Sequence, residues 1–177
     1  MWLRRAILLA VLFGAPFPAP AAERPVRIAF VDTGNTGRSV TAEALAMAAI
    51  ARDGLNAQVI SRAVNLNPYN IRPEENFVTL LAERGIDTRA SRATQFGPQD
   101  AAFSDLILTM TEAHKAWVAE RYPAAKDKVR TLSEYVTGSH TDVLDAFGKP
   151  MEFYRTVLAQ LDPLVAAAVA RAVAKRE

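Results

Sequence analysis

The sequence predicts a parallel α/β fold on the basis of three observations. Short apolar runs alternate with stretches of helical spacing along most of the 177 residues, which is typical of strands joined by helical crossovers. The first apolar run leads through a glycine-containing loop directly into a helix-forming stretch. No internal repeat or linker interrupts the chain after residue 21, and a chain of this length folds as one domain.

The first 21 residues have the layout of a secretory signal peptide. Arg4 and Arg5 precede an apolar run over 6–13, and a proline-rich stretch ends in a small-x-small sequence at Ala21. The apolar run is much shorter than the roughly 20 residues of a membrane helix. Alternatives are an uncleaved anchor or a start placed too early in a cytosolic protein. We expect cleavage after Ala21, a mature domain over 22–177, no membrane insertion, and a periplasmic or secreted location.

The charge balance of the chain bears on its partners, and its lack of cysteine bears on its location. The 21 basic residues less the two arginines of the leader leave 19, which balance the 19 acidic residues. A near-neutral domain gives no support for nucleic acid or an anionic membrane as partner. The chain has no cysteine, which fits export to an oxidising compartment, where reactive thiols are readily oxidised.

Four short apolar runs are predicted as strands, because each is rich in branched residues and bounded by turn-forming or polar residues. They cover Arg27 to Val31, Ala57 to Val64, Leu106 to Leu108 and Val129 to Leu132. The predicted helices cover 40–52, 73–84, 112–122 and 151–175.

Local signals set the ends of these helices. Ser39 and Thr111 are the predicted caps of the first and third helices. Pro73 is predicted to be the first residue of the second helix, and Gly85 is predicted to end this helix. Pro163 is expected to bend the long last helix.

The loop from Asp32 to Ser39 has the composition of an anion cradle. Gly34 and Gly37 permit positive φ values and Asn35 tolerates them, so that successive backbone N–H groups and a helix N-terminus face one point. Arg38 adds a planar fork suited to two phosphate oxygens. The predicted phosphate or oxyanion ligand is bound by Thr33, Gly34, Asn35, Thr36, Gly37, Arg38 and Ser39.

The spacing from Asp32 to Arg38 resembles the phosphate loop of low-molecular-weight protein tyrosine phosphatases, in which a cysteine, five residues, an arginine and a serine follow one another. The inner residues 33–36 are most similar to the branch that removes phosphate from arginine. Further segments keep the order of the family along nearly the whole domain, namely 84–87, 104–111, 128–132, 145–148 and 153–154. The resemblance implies a four-stranded parallel sheet with helices on both faces.

The chain departs from this family at the residues that would carry the chemistry. Asp32 replaces the nucleophilic cysteine, and Gly37 replaces the second cysteine of the loop. The resemblance assigns the general acid to Asp145, although Ala146 replaces the proline that follows it in the family. A carboxylate is bulkier than sulfur and repels phosphate. Arg38 could turn towards Asp32 and close the pocket as a bidentate pair, and the sequence leaves open whether it does so or faces the centre of the loop.

No metal or other cofactor is expected. His114 and His140 lie on different elements, without the spacing of metal ligands, and His114 is expected on a helix surface. Asn67 and Tyr69 belong to the loop that flanks the pocket in the family, so Tyr69 is a candidate ligand contact. The other interpretation is that the ring of Tyr69 packs on the hydrophobic core.

The leading hypothesis is a secreted pseudo-phosphatase that binds a protein partner or an anionic ligand. The alternative is an active phosphomonoester hydrolase, specific for tyrosine or arginine phosphate, that uses Asp32 as nucleophile or base and Asp145 as acid. Residues 32–34 also resemble an aspartic-protease triplet, but a helix follows and no second triplet is present. The same loop resembles the phosphate motif of actin-like kinases, whose folds are longer and have a β-hairpin at this point.

Overall fold

The computed structural model describes residues 23–175. Its centre is a four-stranded parallel sheet in the order β2-β1-β3-β4. The strands are β1 (Val26–Asp32), β2 (Ala57–Ala63), β3 (Leu106–Thr109) and β4 (Val129–Thr131). All four predicted strands are confirmed to within one residue at each end. The predicted signal peptide lies outside the described residues.

Within residues 23–175, six α-helices and one 3₁₀ helix surround the sheet. They are α1 (Arg38–Asp53), α2 (Glu75–Ala82), α3 (Pro98–Phe103), α4 (Glu112–Arg121), the 3₁₀ helix (Pro123–Lys128), α5 (Leu132–Thr137) and α6 (Met151–Ala174). The sequence did not predict α3 or α5, because helices of six residues are too short to show a helical period. Pro73 lies before α2, whose cap is Glu74.

The core lies on both faces of the sheet, as the family resemblance implied. Ile28 and Phe30 of β1 face a larger cluster formed with α1, α2 and α6, whereas Ala29 and Val31 face a smaller cluster formed with α3, α4 and the 3₁₀ helix. Alternate residues of a strand point to opposite faces, and all four of these side chains are fully buried. Burial on both faces explains why β1 is a continuous apolar run.

Among the described residues, α6 has the length and apolar composition of a membrane-spanning helix. Its residues Leu161, Val165 and Val169 are fully buried in the larger core cluster. Packing against α1 and the sheet therefore explains its apolar character.

The carboxyl ends of β1 and β3 lie at one edge of the sheet, where three loops meet. The N–H of Asn65, after β2, donates to the carbonyl of Thr33, after β1. The N–H of Glu74 donates to the carbonyl of Thr36, and that of Val143 to the carbonyl of Met110. In parallel α/β folds this edge is where ligands bind.

Candidate functional site

The loop between β1 and α1 has one left-handed residue, which is not a glycine. Asn35 has φ 56° and is the only non-glycine residue with positive φ among residues 23–175. Its side-chain amide donates to Ser39 Oγ at 2.9 Å, and its carbonyl oxygen accepts the N–H of Thr94 at 2.9 Å. The expectation of positive φ at Gly34 and Gly37 is wrong, because Asn35 makes the left-handed turn of the loop by itself.

Gly37 is required for space instead. A Cβ atom at this position would overlap the carboxylate of Glu74. This position holds a cysteine in the resembled family. Here it has no side chain, and the carboxylate of Glu74 lies beside it.

Asp32 ends β1 and fills the inner part of the cradle with its own side chain. It is 3% exposed. Its Oδ1 accepts the N–H of Asn35 at 2.6 Å, and its Oδ2 accepts the N–H of Ser39 at 2.8 Å. A carboxylate at a helix N-terminus with two amide donors is strongly stabilised. The predicted cap at Ser39 is wrong, because α1 begins at Arg38 and Asp32 satisfies the N–H of Ser39.

The outer part of the cradle remains open. In the described part of the chain, the N–H groups of Gly34, Thr36, Gly37 and Arg38 have no protein acceptor. These four residues line a cavity of about 310 Å³, whereas Asn35 and Ser39 do not line it. Two N–H groups of the loop thus bind the carboxylate of Asp32, and four others belong to residues that line the cavity.

The ion pair between Arg38 and Asp32, which the sequence left open, is not formed. Arg38 Nη1 donates to the carbonyl of Val143 at 3.1 Å, and Nη2 donates to Asp145 Oδ2 at 2.8 Å. The arginine side chain is 7% exposed and that of Asp145 is 57% exposed. Asp32 already has two backbone donors, and the loop before α6 offers Arg38 a second set of acceptors. The structure therefore places Asp145 at the site, with its carboxylate bound to Arg38.

Glu74 is a member of the site that the sequence did not indicate. Its Oε2 accepts the hydroxyl of Tyr154 at 2.6 Å, and its Oε1 lies 3.5 Å from Thr36 Oγ1. Burial raises the pKa of Glu74, and the carboxylates of Asp145 and Asp32 raise it further, whereas the hydrogen bond from Tyr154 opposes them. Burial, together with the bond to Glu74, also raises the pKa of Tyr154, to about 12.

We expect Glu74→Gln to stabilise the protein at neutral pH. The pKa of Glu74 is higher in the folded than in the unfolded state, so the contribution of this side chain to stability falls as the pH rises above about 4.3, the ordinary glutamate pKa. The amide oxygen of the substituted side chain would still accept the hydroxyl of Tyr154, without the charge. The difference in unfolding free energy between variant and wild type should therefore grow from pH 4 to pH 7 in urea denaturation. Glu75→Gln, at an exposed neighbour, is the control, and an equal pH dependence in both variants would contradict the prediction.

His114 lies behind the loop, which corrects its predicted surface position. It is 7% exposed, and its Nε2 is 2.9 Å from Thr33 Oγ1. Burial lowers the pKa of His114, and the guanidinium of Arg38 lowers it further, which keeps the imidazole neutral at pH 7. The weakly amphipathic α4 buries a polar side chain at this point, so helical periodicity gave no signal for it. Among the described residues, no group of three or more His, Asp or Glu side chains could hold a metal ion.

The cavity is a charged, formed pocket at the carboxyl edge of the sheet. The residues that line it are Asp32, Thr33, Gly34, Thr36, Gly37, Arg38, Asn65, Asn67, Asn70, Glu74, Phe77, Asp145 and Phe147. Three carboxylates and one guanidinium give this lining a charge of −2 when all four groups are ionised. An oxyanion that enters the pocket meets free N–H groups together with uncompensated negative charge.

Comparison with known proteins identifies the family. A model of the family described as low molecular weight phosphotyrosine protein phosphatase matches residues 27–177. The chain belongs to this family. It is 41% identical to a protein-arginine-phosphatase of Bacillus subtilis (strain 168) over 140 residues, which cover 78% of this chain and 91% of the relative. It is 35% identical to a protein-arginine-phosphatase of Geobacillus stearothermophilus over 141 residues, which cover 80% and 92%.

A solved phosphatase structure extends the similarity to three dimensions. It is a mutant of the arginine phosphatase YwlE with a phosphorylated active-site serine in place of a cysteine. It matches with a TM-score of 0.79 and 37% identity, over 82% of this chain and 95% of that one. Against this family, the present chain keeps the fold and the loop spacing and has lost the nucleophilic thiol, since it contains no cysteine.

Proposed function

We propose that this protein is an exported phosphatase-like binding protein that does not hydrolyse phosphate esters. The observation that carries the proposal is that both oxygens of Asp32 accept backbone N–H groups. These two bonds hold the carboxylate against the loop, and its full negative charge opposes the approach of a phosphate dianion to the lone pairs that remain. Asp32 therefore acts as a structural anion at the start of α1.

The position of Arg38 supports the same proposal. In phosphoryl transfer an arginine stabilises the charge of the transferring group. Here Arg38 is bound to Val143 and Asp145, and Asp145 is itself held as an ion-pair partner. Catalysis would require Arg38 to exchange both acceptors for phosphate oxygens.

An assay of the purified protein tests the proposal. We expect no turnover of p-nitrophenyl phosphate or of a phosphoarginine peptide above that of the Asp32→Ala variant. Release of inorganic phosphate by the wild type, lost in Asp32→Ala, would overturn it. A family member that retains its cysteine, purified in the same way, is the positive control.

One finding favours a second candidate, a hydrolase that works through an acyl-phosphate on Asp32. In the solved YwlE mutant, an active-site serine, which is an oxygen nucleophile, carries a phosphate. A carboxylate that attacks a phosphate monoester would form an acyl-phosphate and release the alcohol, and water would then cleave the intermediate. Mass spectrometry of the protein quenched in acid after incubation with substrate distinguishes the two, since only this candidate places phosphate on the peptide that contains Asp32.

Export rests on the leader at residues 1–21. The positive n-region, short apolar run and small-x-small site support a periplasmic or secreted location. Amino-terminal sequencing of the protein from a periplasmic extract should begin at Ala22. A chain that keeps Met1 in the cytoplasmic fraction would contradict export.

A further inference from the structure

The mouth of the cavity consists of two loops, one after β2 and one before α6, which contribute to its lining Asn67, Asn70, Asp145 and Phe147. These loops carry most of the exposed large apolar side chains of the described residues. Five such side chains are exposed, and four of them belong to the two loops that flank the cavity. Tyr69 and Ile71 lie on the loop after β2, 98% and 37% exposed, and Leu144 and Phe147 lie on the loop before α6, 45% and 65% exposed. Exposed apolar residues gathered around a pocket mark an interaction surface.

The charge inside the cavity determines which partner suits this surface. Asp32, Glu74 and Asp145 line it against the single cation Arg38. The free N–H groups of the loop carry partial positive charges, whereas each carboxylate carries a whole negative one. Arg38 is already bound to Asp145, so the charges of Asp32 and Glu74 are uncompensated. A cationic group that enters this cavity is attracted, and a phosphate dianion is repelled.

The acceptors of the cavity favour a guanidinium over other cations. Besides the carboxylates, three asparagines line it, at positions 65, 67 and 70. A guanidinium presents five N–H donors in a plane and stacks on aromatic faces. Phe147, in the lining, and Tyr69, on the adjacent loop, supply aromatic surface at the mouth. A volume of about 310 Å³ is at the lower end of ligand pockets, which suits a single side chain of a larger partner.

We propose that the cavity binds the unmodified arginine side chain of a partner protein, with the guanidinium inside the cavity and the flanking partner residues on the apolar mouth. The proposal rests on the absence of hydrolysis proposed above. The carboxylate of Asp32, at the position of the lost thiol, then contributes a fixed negative charge that attracts arginine without its phosphate.

Binding of matched short peptides tests this. The probes are fluorescein-labelled pentapeptides that differ only at the central residue, which is arginine, citrulline, lysine or phosphoarginine. We expect the arginine peptide to bind at least about tenfold more tightly than the citrulline peptide, since an ion pair is lost with the charge, and more tightly than the other two. Its affinity should fall as salt is added. Equal affinity for arginine and citrulline, equal or tighter lysine binding, or tighter phosphoarginine binding would each overturn the proposal.

Variants locate the binding at this cavity. Glu74→Gln and Phe147→Ala should each weaken the arginine peptide about tenfold. Glu75→Gln and Met47→Ala are the matched controls, because both residues are exposed and neither lines the cavity. Unchanged affinity in Glu74→Gln and Phe147→Ala, with cooperative unfolding retained, would overturn the assignment. Failure of the proposed function has a different signature, namely release of phosphate from the phosphoarginine peptide by the wild type.

Discussion

Replacing Asp32 with cysteine is expected to give the protein a phosphatase activity that the wild type lacks. A thiol at this position would receive the N–H groups of Asn35 and Ser39, which now bind the carboxylate, at the N-terminus of α1. Such surroundings lower the pKa of a cysteine and make it a thiolate at neutral pH. A single sulfur in place of the two carboxylate oxygens also gives phosphate more room to reach the outer N–H groups, which have no acceptor among the described residues of the wild type. We expect turnover of p-nitrophenyl phosphate roughly 10³-fold above the wild type, which is about 4 kcal/mol of activation free energy.

Two variants separate the thiolate from other effects of this change. Asp32→Ser removes the carboxylate but supplies no thiolate, and steady turnover should remain at the wild-type level. The double variant Asp32→Cys, Arg38→Ala should lose the gain, because the developing charge then has no guanidinium partner. If Asp32→Cys stays inactive although it is folded, the loss of the thiol does not by itself explain the lost activity, and the carboxylate of Glu74 becomes the next candidate cause.

Asp32→Ala is expected to lower the unfolding free energy by about 2–4 kcal/mol, because two charge-assisted hydrogen bonds at the start of α1 are lost and their donors are left in the interior. The same variant should bind inorganic phosphate at least about tenfold more tightly than the wild type, since a negative charge leaves the cradle and two N–H groups are released. Urea denaturation and calorimetric titration measure these two effects.

Asp53→Ala is the control for the stability effect. Asp53 lies at the other end of α1 and forms an exposed pair with Arg52, so its loss should leave the unfolding free energy nearly unchanged. A fully stable Asp32→Ala variant would show that the carboxylate does not stabilise α1. A stable fold with unchanged phosphate affinity would show that Asp32 does not occupy the cradle.

The elements of the fold were predictable because their signals are local. Strand β1 is apolar at every buried position before Asp32, and the alternation of strands with helical stretches specified the parallel sheet. The loop at 32–39 was located by its residue spacing. Local signals also gave Thr111 as the cap of α4, which its side chain confirms by accepting the N–H of His114.

The partners within the site were not predictable in the same way, because they depend on contacts distant in sequence. In the sequence, Glu74 is an acidic residue next to the start of a helix, and nothing local distinguishes it from the glutamate that follows it. The approach of Glu74 to Gly37 follows from the hydrogen bond that joins its backbone to Thr36. The sequence left open whether Arg38 binds the nearest carboxylate, Asp32; backbone donors of the loop satisfy that group instead. Short sequence separation was therefore a poor guide to which charges pair.

The bond from Arg38 to Asp145 joins residues 107 positions apart. Closing so long a segment carries a large entropic cost, which is met only after most of the intervening chain has found its place. The finished cavity therefore requires both ends of this segment to be in place. A chain whose residue 145 is still inside the ribosome cannot form this bond, so the cavity is completed only late in synthesis.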